Sequence, residues 1–234
     1  YVEEQEIEQS IEDALNWLDN SEKELSLTRE SVSETIEMED RAEVLTNICS
    51  ECSSYKEFVQ LLEEKVQQSP CYLEPTYRES REQELSFLKS KLTCVQRLAS
   101  LQLEELEDCV AAIKGVSLLL LSCKKWLLDQ RDLLKEQMPG LEDKHLLEKK
   151  LSVLKDCEVK IGFKMADINE ANKKVSEKLA KVSPVLKRSL ETELDNVNDS
   201  LDGLLISITS KIVTIENLCA QRSDFEKQIE DYDF

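Results

Sequence analysis

Turn-forming residues are scarce in this chain of 234 residues, which holds four glycines and four prolines. A sheet protein needs turn signals about every 8–12 residues, so that class is excluded. The glycines, Gly115, Gly140, Gly162 and Gly203, are nowhere neighbours, and a glycine-rich phosphate loop is ruled out. Histidine occurs once, at His145, which removes catalytic triads built on histidine and histidine-rich metal sites. No unbroken apolar run approaches the length of a membrane span; the longest cluster, Val116–Leu121, is interrupted by Ser117. The opening residues are acidic and lack the apolar core of a secretory leader, so none is expected.

Positive charge is also short, since 30 Lys and Arg face 49 Asp and Glu for a net of −19. Such a chain repels phosphate backbones and anionic lipid heads, so neither nucleic acid nor direct membrane contact is expected of this segment. The imbalance is uneven. Residues 1–64 hold 19 acids and 4 bases, whereas Lys144–Arg188 holds 12 bases and 6 acids. These stretches are either solvated helix faces or complementary faces for a basic and an acidic partner.

What the chain has in quantity is Leu, Glu, Lys, Ser and Gln, residues at home in helices. The longest uninterrupted stretch is Thr76–Met138. Counting in sevens from Leu85 gives Leu92, Ala99, Leu106, Ile113, Leu120, Leu127 and Leu134, with Leu88, Val95, Cys109, Val116 and Cys123 between them. Alternating steps of three and four mark the seam of one long helix, roughly 95 Å at 1.5 Å per residue. Before it, a helix over 1–30 carries Ile7, Ile11, Ala14, Leu18 and Leu25. Ser31 with Glu34 predicts a capping box for a second helix reaching about Gln68. Pro70 and Pro75 break the chain there, and Thr76 with Glu79 predicts the next start. Pro139–Gly140 closes the long helix, Asp143 is the expected N-cap of a fourth, and Ser183–Pro184 opens a fifth that runs on to the end.

An internal period explains this order. Trp17 and Trp126 stand 109 residues apart, and so do Pro75 and Pro184, Leu18 and Leu127, Leu45 and Leu154, and Leu92 and Leu201. The expected division is therefore 1–109, 110–218, and 219–234 as the start of a further copy or an extension of the last helix. The fold class is all-α, with two tandem three-helix units sharing the long helix.

Units of this length, with Leu15, Trp17 and Leu18 in the first and Lys124, Trp126 and Leu127 in the second, resemble spectrin repeats. The sequence is most similar in character to the divergent rods of the nesprin family of the nuclear envelope, with plakin rods such as dystonin next. The resemblance implies left-handed three-helix bundles in an elongated rod, with Trp17 and Trp126 as core residues. It implies a non-enzymatic scaffold in the cytoplasm, associated with the cytoskeleton or the cytoplasmic face of the nuclear envelope. Actin and microtubule systems would be coupled through it, with regulators such as a formin as protein partners; self-association as in spectrin dimers is the alternative. No cofactor is expected.

The eight cysteines test that reading. Cys49 and Cys52 form a C-x-x-C pair, but a structural zinc site wants four ligands and no matching pair follows. Cys52, Cys109, Cys123, Cys157 and Cys219 instead occupy columns that are apolar in the other copy, as small core fillers would. No metal site is expected, and reduced thiols fit an intracellular compartment. His145 matches Ile36 and should be partly buried.

Some columns are apolar in only one copy. Leu118, Leu121, Leu128, Ile206 and Val213 match polar residues of the first unit, and Leu121, Leu128, Ile206 and Val213 are the candidate partner-binding residues, lining a groove between two parallel helices. The alternative is that Leu118 and Leu121 pack at the joint. Phe58, Leu61 and Leu98 are the first unit's own excess. Gly115, just past the expected fusion of the two copies, is the hinge candidate.

Overall fold

The computed structural model describes residues 2–28, 34–137 and 143–232, with side chains placed from Glu4 to Ile229 within those ranges. Five long helices account for them: α1 (Val2–Leu27), α2 (Thr35–Gln68), α3 (Pro75–Glu136), α4 (Lys144–Val182) and α5 (Pro184–Tyr232). A single 3-10 turn, Pro70–Leu73, stands between α2 and α3, and no strand occurs among the described residues. The packing is that of helical bundles.

The helix starts follow from local chemistry. Asp143 caps α4, its carboxylate accepting the amide of Leu146 at 2.8 Å. Pro184 is the first residue of α5, where its missing N–H costs nothing. The long helix begins at Pro75, one residue before the expected Thr76, because proline suits a first helical position as well as it breaks the preceding helix. Ser69 accepts the Cys71 amide at 3.3 Å and so starts the 3-10 turn. The Ser31 half of the predicted capping box and the Pro139–Gly140 stop lie outside the described residues; Glu34 precedes α2 without a side-chain cap.

The chain divides into two compact units: Tyr1–Ala111 with Lys181–Val185, and Ala112–Ala180 with Leu186–Phe234. The sequence period divides the copies at 109/110, whereas packing divides the units inside α3, at Ala111/Ala112. Residues 219–232 continue α5 without a break.

In the first unit α1 and α2 run antiparallel, since Trp17 stacks on Tyr55 and Arg41 reaches the Thr28 carbonyl. Lys89 pairs with Glu63, and Cys49 lies 3.6 Å from Ser100, which sets α3 antiparallel to α2. Arg81 with Glu8, and Gln102 with the Leu25 carbonyl, make α3 parallel to α1.

The second unit has the same order. Cys157 donates to Gln130 at 3.2 Å and Lys164 covers Trp126, so α4 opposes α3. Lys155 with Glu216, and Asn172 with Asp195, oppose α5 to α4. Lys124 with Glu193, and Lys211 with the Leu134 carbonyl, place α5 parallel to α3.

The cores repeat in register. Buried residues recur 109 positions apart from Ile7 and Val116 through Leu18 and Leu127, Leu45 and Leu154, Cys52 and Ile161, Val66 and Val175, Leu92 and Leu201, to Leu106 and Ile215. Cross-helix pairings recur as well. Gln102 on the Leu25 carbonyl is matched by Lys211 on the Leu134 carbonyl, and Cys49 beside Ser100 by Thr209 donating to Glu158 at 3.3 Å.

Packing corrects three expectations. Trp17 and Trp126 are half-buried rather than core. Leu18 and Leu127, one residue on, point into the interior, and about 100° of helical turn leaves each indole on the flank toward the neighbouring helix. His145 is exposed, because Leu147 takes the inward position at the start of α4; the matching Ile36 is exposed too. Of the five cysteines assigned to apolar columns, Cys52, Cys109, Cys123 and Cys157 are buried, but Cys219 is half-buried, near the end of α5 where fewer residues surround it.

Candidate docking surfaces

The two indoles show how one column acquires two chemistries. Trp17 stacks on Tyr55 with ring centroids 4.2 Å apart, and its N–H donates to the Glu51 carboxylate at 2.6 Å. Phe58 meets Tyr55 edge-on at 6.0 Å, so aromatic surface continues along α2 toward the exposed Leu61. Burial raises the Tyr55 hydroxyl pKa above its usual value, and the negative charges of Glu51 and Asp13 push the same way. In the second unit the residue in the Tyr55 column is Lys164, whose ammonium lies 5.0 Å from the Trp126 ring centroid, a cation–π contact. The columns of Phe58 and Leu61 there hold Asp167 and Glu170. Thus the first unit presents an acidic, aromatic face where the second presents charge.

The flank between the two parallel helices differs in the opposite sense. In the first unit Lys91 on α3 donates to Asp19 of α1 and lies 3.2 Å from Glu22, bridging the helices. The hydrogen bond from Lys91 holds the Asp19 carboxyl below its ordinary pKa, and the same bond raises that of Lys91. The corresponding residues of the second unit are Leu128, Arg131 and Ser200, which cannot make that bridge. A groove of about 720 Å³ lies there instead. Leu134 and Leu204 line it together with Arg131, Lys135, Asp199, Ser200, Gly203, Ser207 and Lys211.

The four predicted partner-binding residues are all exposed: Leu121 68%, Leu128 61%, Ile206 71% and Val213 50%. Leu118 is equally exposed at 68%, so it does not pack within its own unit. None of the four lines the groove between α3 and α5. A groove between helices is lined by the seam and its flanks, whereas Leu121 and Leu128 follow the core residues Leu120 and Leu127, and Ile206 lies midway between core Leu204 and Ile208. The observed arrangement is two apolar stripes beside a groove, rather than a groove lined by them. Sequence spacing does not reveal the groove itself, because small side chains and an absent ion pair make it, and neither leaves a hydrophobic signal.

Three of the buried thiols offer little reactivity. Burial pushes the Cys52 thiol up to about 11 and raises Cys123 and Cys157 in the same direction. Cys94 is the exposed one. Among the described residues no three His, Cys, Asp or Glu side chains converge as a metal site would need.

Within Pro184–Ile229 of α5, one window of 18 residues is, by length and composition alone, apolar enough to cross a membrane, which a search for unbroken apolar runs does not register. Its Leu204, Ile208, Ile212 and Ile215 are buried in their own unit, whereas Ile206 and Val213 of the same stretch are exposed, so the core accounts for part of the hydropathy and the surface stripe for the rest.

Gly115 is exposed in a regular stretch of α3; no described glycine has a positive φ, and a Cβ there would meet nothing within 4 Å. Compared with protein-family models, with curated proteins and with solved structures, the chain matches none of them.

Proposed function

We propose that this chain is a slice of an array of spectrin-like repeats, a non-enzymatic segment that spaces, transmits force and docks partners within a cytoskeletal linker. The observation that carries the reading is the recurrence, 109 residues apart, of both the buried residues and the contacts that cross between helices, with α3 serving the two units in turn. A helix shared by two neighbouring units is one way to repeat a bundle end to end, and repeats contact chiefly their neighbours. In this reading the bundles are left-handed, the array is elongated, and Gly115 is a place where the shared helix bends.

The family resemblance extends the proposal to a nesprin-like role. The segment then lies in the cytoplasm, couples the nucleus to actin and microtubules, and recruits a cytoskeletal regulator such as a formin; a plakin-type rod is the nearest variant. The abundance of acidic side chains argues for protein partners over nucleic acid. Affinity capture with this chain as bait, read by mass spectrometry, should enrich cytoskeletal regulators over a scrambled-surface control. Enrichment of nucleic-acid or metabolic enzymes instead would overturn the cytoskeletal assignment.

One observation favours self-association as a second reading: Asp40, Glu51 and Glu64 of α2 stand at the columns where α4 carries Lys149, Lys160 and Lys173. Mass by light scattering across a concentration series decides between them. A constant monomer mass supports the linker, and a salt-sensitive dimer supports the module.

A further inference from the structure

On the flank of the first unit where α1 meets α2, apolar surface stays open to solvent. Trp17 and Tyr55 are half-buried, Phe58 is 37% exposed and Leu61 59%. Trp17 stacks on Tyr55 and Phe58 meets Tyr55 edge-on, so the three rings are continuous. Leu61, three residues past Phe58, extends them along the same side of α2.

Four carboxylates and one ammonium, that of Lys65, edge this surface. Asp13 and Glu51 are the ionised groups that act on the Tyr55 hydroxyl, and Glu57 and Glu64 stand one turn before and one turn after Leu61. Asp13 accepts a hydrogen bond from Gln9 at 2.9 Å and Glu51 accepts one from the Trp17 indole, but among the described residues none of the four carboxylates makes an ion pair. Acids of α1 and α2 that face α3 are compensated: Glu8 meets Arg81, Asp19 and Glu22 meet Lys91, and Glu63 meets Lys89. Negative charge is thus left without a cation beside the apolar patch, where it repels an acidic occupant and attracts a basic one. Glu57 and Glu64 are seven residues apart, about 10 Å along α2, which is the distance between side chains two turns apart on a helix lying beside it.

We propose that the α1–α2 face of the first unit docks a basic amphipathic helix of a partner protein. The apolar stripe of that helix covers Phe58 and Leu61, and cations two turns apart on it pair with Glu57 and Glu64. The second unit has neither half of this surface. Lys164, Asp167 and Glu170 take the columns of Tyr55, Phe58 and Leu61 there, and Ala166 and Lys173 those of Glu57 and Glu64. The proposal concerns the first unit alone and does not rest on the array to which the segment belongs.

The test uses the full chain and a fluorescent synthetic helix of about 20 residues with leucines at i, i+3, i+4 and i+7 and lysines elsewhere. A chain of net charge −19 attracts any polycation, so the controls separate pattern from charge. One control is a peptide of the same composition, scrambled so that its leucines form no stripe; fluorescence anisotropy should show saturable binding of the patterned peptide and at least about tenfold weaker binding of the scrambled one. Leu61→Glu, which gives the residue type of the second unit and makes the chain more acidic, should weaken binding by at least about tenfold with the helical circular dichroism kept, whereas simple charge attraction would leave it unchanged or strengthen it. Glu57→Ala with Glu64→Lys should weaken it as much, and this pair decides the matter if Leu61→Glu fails to fold. The proposal is overturned if the scrambled peptide binds as well or if affinity survives these substitutions. A concentration-dependent dimer of the chain that Leu61→Glu abolishes would assign the face to a second copy and overturn it too.

Discussion

Two units with the same buried frame present different surfaces, and the columns where they differ are those the frame leaves free. In the first, Trp17 is held by a ring stack and a hydrogen bond to Glu51; in the second, Trp126 has a lysine over its face. In the first, an ion bridge closes the flank between the parallel helices; in the second, the flank is a groove with small residues on its α5 wall. The three described glycines, Gly115, Gly162 and Gly203, all lie in the second unit, opposite Glu6, Ser53 and Cys94 of the first. A buried residue is constrained because any change of its size leaves a cavity or forces a clash. An exposed column answers only to helix propensity and to whatever docks on it. Two units with matching buried columns can therefore differ in surface chemistry while both remain helical bundles.

The most severe way to break the comparison is through the shared frame. Leu45 and Leu154 occupy one column and are both fully buried. Leu45→Ala and Leu154→Ala should each cost about 2–5 kcal/mol in urea unfolding, and by similar amounts. A large disparity between them would mean that the two cores only look alike.

A smaller effect separates the indoles. Trp17→Ala removes a stacked ring and leaves the Glu51 carboxylate without its donor, so a loss of about 2 kcal/mol is expected. Trp126→Ala removes one cation–π contact with its half-buried ring and should cost less, about 1 kcal/mol. Equal costs would show that the aromatic neighbours Tyr55 and Phe58 contribute nothing to the first unit.

The glycines give a gain rather than a loss. A Cβ at Gly115, Gly162 or Gly203 meets nothing within 4 Å, and each sits in helical backbone. Gly115→Ala and Gly162→Ala should each stabilise the second unit by about 0.4–1 kcal/mol, read as a higher urea midpoint at unchanged slope. No gain at Gly115 would argue that the helix is strained there and would strengthen its candidacy as a hinge.

The smallest effect is the pH response of the ion bridge. Because Lys91 depresses the Asp19 pKa, the bridge contributes stability above the ordinary carboxylate pKa of about 3.9 and loses it as pH falls through the lower folded value. Between about pH 5 and pH 2, the gap in urea midpoint between the parent and Lys91→Ser should close. A gap that stays constant through that range would show that Lys91 acts by packing its stem and not by its charge.

Much of the architecture is legible in the sequence because helices advertise themselves by period. The uninterrupted heptad stretch locates α3 to within two residues at each end, and Asp143 and Ser183–Pro184 mark the starts of α4 and α5. The apolar excess at Leu121, Leu128, Ile206 and Val213 is legible as surface, which these residues are, but its geometry is not. Whether two stripes on neighbouring helices meet depends on helix rotation and axial register, and those are set by pairs such as Lys124 with Glu193 that lie 69 positions apart. The burial of the tryptophans escapes the sequence for a related reason. Periodicity identifies a stripe, but a large ring beside it can turn inward or lie along the flank, and the Tyr55 and Lys164 of the neighbouring helix decide which.

By itself, then, the sequence determined that this protein is helical, where α3, α4 and α5 start, and that its apolar positions recur every 109 residues, because hydrophobic spacing, proline and capping groups act on the chain locally. Only the tertiary structure decided that Lys91 bridges one flank and that the matching flank over Leu204 stands open. A bridge or a groove exists between helices, and its free energy depends on distances across a bundle that no local pattern encodes.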